Sequence, residues 1–184
     1  RGQRRGDLPG GHHQGIVPGS DLADHAHRVA ADHAGQAGQV LAGGDTRHES
    51  EYQALLHLAD DIRRGEIDIV LVHDAARPLT PVRVVEEVLA TAMRTGGAIP
   101  ALPLEDVAGV DEAGRISESD RTDLIRVQTP QAFRSTQLLA AYEAAAADGF
   151  AGTDTASCVE RYQGVAVHVV AGDPRNLKVT YADD

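Results

Sequence analysis

Four consecutive apolar residues, Ile69-Val70-Leu71-Val72, break off at His73-Asp74, and two alanines then lead to Arg77-Pro78. A run apolar at every position has no face to give to water. It predicts a parallel strand over 67–73, covered by helices on both sides. In open α/β sheets ligands bind beyond the carboxyl ends of the strands, which delivers Asp74 and Arg77 to that place. Small Ala75 and Ala76 leave room for a ligand there. A strand-end ion pair facing water is the competing reading.

The pattern on either side alternates between periods. Ile16-Val17-Pro18 resembles a strand end, and Asp21 offers an N-cap for a helix through about 34. Val40-Leu41 forms a short strand closed by Gly43-Gly44-Asp45. Tyr52, Leu55, Leu56, Ala59 and Ile62 recur at helical spacing from 49 or 50 to about 64, with Gly65 as a C-cap. Pro81 opens a helix to about 94 whose inner stripe is Val84, Val85, Val88 and Leu89, ended by Gly96-Gly97. Residues 98–102 form another buried strand. From 104 to 126 polar residues and a turn at 111–114 predict a hairpin leaving the main body. Gln128-Thr129-Pro130-Gln131 is a polar elbow, and a helix follows over 136–147. The loop Gly152-Thr153-Asp154-Thr155 opens a short helix to about 161, and strands over 165–170 and 177–180 flank a turn at 172–174. Strands alternating with helices predict an α/β domain with a mostly parallel sheet.

Composition narrows the function. The chain has 184 residues and a formal charge of -11. That length suits one domain, and that charge argues against a nucleic-acid surface, although a few local cations can dominate a pocket. The one cysteine, Cys158, excludes an internal disulfide framework and a cysteine zinc site. No stretch approaches the roughly 20 apolar residues that cross a bilayer, so no membrane partner is expected and a cytoplasmic protein is. His12 and His13 are adjacent, and His25, His27 and His33 form no i, i+4 pair around a carboxylate; solvated histidines are expected rather than a metal site. Residues 1–15 are Gly, Arg and His with little that could join a core, and predict a disordered or aberrant lead before a domain over 16–184.

The pieces that carry chemistry occur in a fixed order. They are Ala42-Gly43-Gly44-Asp45-Thr46-Arg47-His48-Glu49-Ser50, Val72-His73-Asp74-Ala75-Ala76-Arg77-Pro78, Asp120-Arg121, Val127-Gln128-Thr129-Pro130-Gln131-Ala132-Phe133, Gly152-Thr153-Asp154-Thr155-Ala156-Ser157 and Asn176-Leu177-Lys178-Val179-Thr180. Each is weak alone; six in this order over about three quarters of the chain are specific. Together they resemble the 2-C-methyl-D-erythritol 4-phosphate cytidylyltransferase family and its sister, the ribitol-5-phosphate cytidylyltransferases.

The resemblance implies a Rossmann-like nucleotidyltransferase fold, three-layered, with a β-arm at about 103–127 through which two copies form a homodimer. It implies CTP and a sugar-alcohol phosphate as substrates and magnesium as cofactor. Gly44, Asp45 and Ser50 would contact the cytidine portion, with Arg47 supporting their loop. Asp74 would bind acceptor hydroxyls or sit near the metal, and Arg77 would position the acceptor. Thr129 and Thr153 would meet phosphate, the latter just before a helix start, where free N–H groups favour an anion. Lys178 would neutralise phosphate charge, and Arg121 would reach across the dimer to the partner's acceptor phosphate. Simple alternatives stand beside these: a helix cap by Ser50, an N-cap by Thr153, a solvated Lys178 and a surface ion pair for Arg121.

Two departures from the family pattern matter. Its opening strand and Gly-rich loop, Pro-Ala-Ala-Gly-x-Gly-x-Arg with a following Pro-Lys, has no counterpart in these residues; Pro9-Gly10-Gly11 has no preceding strand, following helix or lysine. That absence would remove a phosphate cradle, and with it most of the catalysis, and would expose strand edges. Where the family has Asp-Thr-x-Lys, this chain has Asp106-Val107-Ala108-Gly109, which supplies neither a hydroxyl nor a cation. The chain also ends at Asp183-Asp184, where the family continues into a closing helix. Three functions follow as expectations: cytidylyl transfer to 2-C-methyl-D-erythritol 4-phosphate, the same transfer to another acceptor such as ribitol 5-phosphate, or an inactive homologue serving as a binding or dimerisation module.

Overall fold

The apolar run does form a strand, β3 (Ile69–Val72), but the strand hydrogen-bonded to it is antiparallel. The structure, a computed structural model, describes residues 28–31, 39–104, 109–110, 113, 115–117, 124–150 and 154–181. Before β3 come β1 (Arg28–Ala31), β2 (Gln39–Ala42) and α1 (Arg47–Arg63). After it come α2 (Val82–Thr95), β4 (Gly97–Pro103), β5 (Gly109–Val110), β6 (Ile116–Ser117), β7 (Ile125–Val127), β8 (Gln131–Arg134), α3 (Ser135–Asp148), α4 (Thr155–Gln163) and β9 (His168–Ala171).

β8 lies between β3 and β4 and is antiparallel to both, pairing Ile69 with Arg134 and Gly97 with Phe133. β7 continues along the same edge of β4, pairing Ala101 with Val127, and β9 is parallel to β4 on the other edge. β3, β4 and β9 therefore share one direction, as alternating strands and helices predict. The sheet is nonetheless mixed rather than mostly parallel, because the β7–β8 segment runs against them. The elbow before β8 carries a cis Thr129–Pro130 peptide.

Helices cover both faces, giving three layers. On one side α1, α3 and α4 pack Leu55, Ile62, Leu138, Tyr142 and Val159 against Ile99 and Phe133, with Val70 and Val72 alongside. On the other, α2 packs Val84, Val88 and Ala92 against Ala98, Ala132 and Val170, with Ile69 alongside. Fully burying a side chain such as Leu138 or Phe133 stabilises by about 1.5–3 kcal/mol. The alanine run has a structural purpose: Ala141 and Ala145 are fully buried, and small residues there let α4 approach until the Cys158 thiol donates to the Ala141 carbonyl at 3.7 Å.

Several expectations are corrected. The helix expected from Asp21 to about 34 is not one at residues 28–31. These form β1, antiparallel to β2 with Val29 opposite Leu41, because pairing supplies backbone partners that outweigh a weak helix propensity. The strand end at Ile16-Val17-Pro18 and the lead 1–15 lie outside the described residues. α1 begins two to three residues earlier than its apolar spacing predicts, since Thr46 caps it in a capping box with Glu49. Pro81 is the N-cap of α2 rather than its first residue, and Gly96, at φ 99, ends it in the left-handed region. The inner face of α2 is Val84, Val88, Thr91 and Ala92, leaving Val85 and Leu89 outside it. No ladder forms over 177–180, which runs as irregular chain tied to the strand-end loop by Val179 N–H donating to the Ala76 carbonyl at 2.8 Å. At the base of segment 104–126, Leu104 N–H continues the β4–β7 ladder to the Leu124 carbonyl, and β5 pairs antiparallel with β6.

Candidate active site

The β3–β8 register decides what stands at the strand end. Val72 opposite Gln131 brings the elbow beside the residues that follow β3, so the Asp74 N–H donates to Thr129 Oγ1 at 3.0 Å. That hydroxyl in turn sits 3.0 Å from His73 Nδ1, and His73 Nε2 is 3.2 Å from the Arg77 carbonyl. The chain of donors is consistent with one tautomer: Thr129 donates to Nδ1 and the Nε2–H donates to Arg77. Partial burial holds the His73 pKa below the ordinary histidine value, and a second ring proton would leave the Thr129 hydroxyl without its acceptor.

Asp74 is where the cations meet. Its Oδ2 lies 3.4 Å from Arg77 Nε and 3.4 Å from Lys178 Nζ, and its Oδ1 lies 3.8 Å from Arg47 Nη2. Three positive groups face one carboxylate, a local excess of positive charge on an acidic chain and a place suited to anions. The lysine is delivered across the sequence by buried amides. Arg77 Nη1 donates to the Asn176 carbonyl at 2.7 Å, Asn176 Nδ2 donates to the Thr129 carbonyl at 2.8 Å, and Thr80 donates to Asn176 Oδ1 at 2.7 Å. Gln128 Nε2 donates to the carbonyls of Asp173 and Asn176 at 2.9 and 3.0 Å. Asn176 has no exposed surface, and the bonds from Gln128 and from the Asn176 amide to Thr129 are made out of water's reach, while those from Arg77 and Thr80 lie nearer the surface.

The loop before α1 is braced by the first turn of the helix. Gly44 N–H donates to Ser50 Oγ at 3.1 Å, and Ser50 donates to the Thr46 carbonyl at 2.9 Å. The Glu49 carboxylate accepts from Asp45 and Thr46 N–H at 2.7 and 3.1 Å. A Cβ on Gly44 would lie 2.3 Å from the Cβ of Glu49, so only glycine permits this close approach. Ser50 is thus a brace for Gly44, and the cap expected of it belongs to Thr46. The Asp45 side chain is exposed. Arg47, expected to support this loop, reaches Glu51 Oε1 at 2.6 Å and lies beside Asp74.

A family model described as 2-C-methyl-D-erythritol 4-phosphate cytidylyltransferase, IspD, matches residues 13–184. The chain belongs to this family. Among proteins of that printed name, that of Bacillus pumilus is 39% identical over 146 residues, covering 79% of this chain and 61% of its own length. The Geotalea uraniireducens protein is 43% identical over 147 residues, with the same coverage, 79% and 61%. The crystal structure of the cytidylyltransferase from Thermus thermophilus superposes with a TM-score of 0.66 at 33% identity, covering 78% of this chain and 67% of that one. The chain spans about three fifths of the length of the curated relatives it matches.

Of the residues the cytidylyltransferase resemblance singles out, the structure brings Asp74, Arg77, Thr129 and Lys178 into one cluster, with Gly44 in the loop before α1 and Ser50 in its first turn, which Arg47 joins to the cluster. Arg121 and Thr153 lie outside the described residues, as does Val107. α4 starts at Thr155, with Asp154 capping it by accepting from Ser157 N–H at 2.7 Å. Among the described residues no three His, Cys, Asp or Glu side chains gather to hold a cation, and the Asp74 carboxylate is already faced by Arg47, Arg77 and Lys178. Sequence reasoning passed over His73, Asn176, Gln128 and Glu51. Asn176 and Gln128 stand inside quoted motifs, but nothing local signals that two amides from distant segments meet in the core.

Proposed function

We propose that the chain performs cytidylyl transfer from CTP to 2-C-methyl-D-erythritol 4-phosphate, in the cytoplasm and as a homodimer. An oxygen of the acceptor phosphate attacks the α-phosphorus of CTP, the bond to the β-phosphate breaks, and pyrophosphate leaves. Protein groups do little covalent work in such a step; they position reactants and balance spreading negative charge. The observation that carries the reading is the convergence of Arg47, Arg77 and Lys178 on Asp74. Lys178 and Arg77 would turn from the carboxylate toward phosphate oxygens, and Asp74 would accept hydrogen bonds from acceptor hydroxyls. Gly44 and Ser50 shape the loop for the cytidine portion. Thr129 holds the Asp74 loop, and a bond to acceptor phosphate would take the proton it now gives His73. Magnesium would accompany the triphosphate of the nucleotide and supply further positive charge there.

The first test is calorimetric titration of the full chain with CTP and magnesium, followed by pyrophosphate release with methylerythritol phosphate and ribitol 5-phosphate as separate acceptors. Binding in about the micromolar range with turnover on the first acceptor supports the reading. Turnover on ribitol 5-phosphate alone transfers it to the sister activity, in keeping with Val107. Nucleotide binding by a dimer that turns over neither acceptor marks a binding module. For the shared site, Arg121→Ala subunits mixed with Asp74→Ala subunits regain part of the activity, and strict absence of complementation in an active dimer removes Arg121 from it.

A further inference from the structure

Glu51 stands on the inner side of α1, in line with buried Leu55, Ala59 and Ile62, where a charge meets little water. Its side chain is 11% exposed, and both oxygens are taken. Oε1 accepts from Arg47 Nε at 2.6 Å. Oε2 accepts from Thr155 Oγ1 at 3.0 Å and from the Tyr142 hydroxyl. The donors come from three helices: Arg47 opens α1, Tyr142 belongs to α3, and Thr155 is the first residue of α4. Tyr142 is itself fixed, fully buried and stacked on His48 with ring centres 4.4 Å apart. Arg47 Nη2 is the contrast. It is buried and makes no hydrogen bond, and it is held 3.8 Å from Asp74 Oδ1, beyond bonding distance.

We propose that Glu51 is a positioning residue that pins Arg47 by its Nε, holding Nη2 beside Asp74 so that it donates to an oxygen of the bound nucleotide or acceptor once that ligand parts the groups now covering it. The inference rests on the transfer reading above for the identity of that ligand. A guanidinium is a planar fork, so fixing one nitrogen fixes the direction of the others. A buried donor left unmade is costly, and a ligand oxygen entering beside Asp74 recovers that cost only if Nη2 is already aimed. Glu51 also ties the first turn of α1 to α3 and to the first residue of α4 through one carboxylate.

The test uses the full chain and a double-mutant cycle on Glu51→Gln and Arg47→Ala. Glutamine keeps the size of the side chain and can satisfy Tyr142 and Thr155, whose hydroxyls donate or accept, but removes the charge that grips Arg47. With CTP and magnesium as the probe, Glu51→Gln alone weakens binding about tenfold and adds little in the Arg47→Ala background. Equal losses in both backgrounds mean a merely structural carboxylate and overturn the proposal, as does unchanged affinity in Glu51→Gln. A second readout is independent of the nucleotide. The Nε–H resonance of Arg47 in a nitrogen-15 spectrum, assigned by its loss in Arg47→Ala, is protected from exchange in the native chain and loses that protection in Glu51→Gln. If CTP does not bind the native chain at all, the transfer reading fails while this resonance still decides whether Glu51 holds Arg47; an unprotected native signal overturns the pinning.

Discussion

Arg77 donates from Nη1 to the backbone carbonyl of Asn176 at 2.7 Å across 99 residues of sequence. The bond joins the loop after β3 to the segment that carries Lys178, so the arginine expected to handle the acceptor is also a strut for the lysine. Arg77 is well buried and grips Asp74 with its remaining face. Site geometry and local stability are therefore coupled through a single guanidinium.

Asn176→Ala tests that coupling from the other side. It leaves the buried Thr129 carbonyl without its donor and turns the Thr80 hydroxyl back on the Arg77 carbonyl alone. A loss of about 2–3 kcal/mol in urea-unfolding free energy is expected. An unchanged midpoint would mean that the amide staple contributes nothing to holding the 172–180 segment.

Lys178→Ala separates function from folding. The side chain is 48% exposed and its ion pair at 3.4 Å is partly solvated, so the stability change stays within about 0.5 kcal/mol. Binding of phosphate-bearing ligands falls by about tenfold or more in calorimetric titration. A variant that binds CTP and acceptor as the native chain does removes Lys178 from the site.

Gly44→Ala drives a methyl group into Glu49 and must displace the capping box at the start of α1. The expected cost is about 1 kcal/mol or more, seen as a lower thermal midpoint, together with weaker nucleotide binding. Loss of neither places the loop further from the ligand than its bonding to Ser50 implies.

Cys158 is fully buried, and that burial, with Glu51 and Asp154 nearby, pushes its thiol up to about 11. Thiolate is the reactive form, so the native chain stays unreactive toward a disulfide reagent at about pH 8 and reacts on unfolding in urea. Reaction of the native chain at a free-thiol rate would show that the α3–α4 contact opens readily.

The sequence was most legible where chemistry and local pattern coincide. Ile69-Val70-Leu71-Val72 followed by Asp74 and Arg77 announces both a strand and what stands at its end, and Pro130 marks the elbow that carries Thr129. It was least legible where a partner distant in sequence decides the outcome. Gln131-Ala132-Phe133-Arg134 has one strong strand former, and its place as β8 depends on two neighbours already laid down. Arg28-Val29-Ala30-Ala31 favours a helix until β2 offers it backbone partners. Glu51 resembles a solvated charge in a composition count. Its spacing of four from Leu55 and eight from Ala59 is the signal that it faces inward.

β8 carries one more consequence, for the order in which the chain can assemble. β3 and β4 point the same way yet do not touch through hydrogen bonds; each waits for a strand made after the whole excursion from 104 to 126. A chain emerging from the ribosome through residue 130 has both strands, α2 and no bridge between them. Contacts of that sequence separation slow folding and leave edges open to other chains in the meantime. A few residues on, Gln131–Arg134 joins the two strands, so this short piece must be in place before α3, α4 and β9 can complete the core and the sheet.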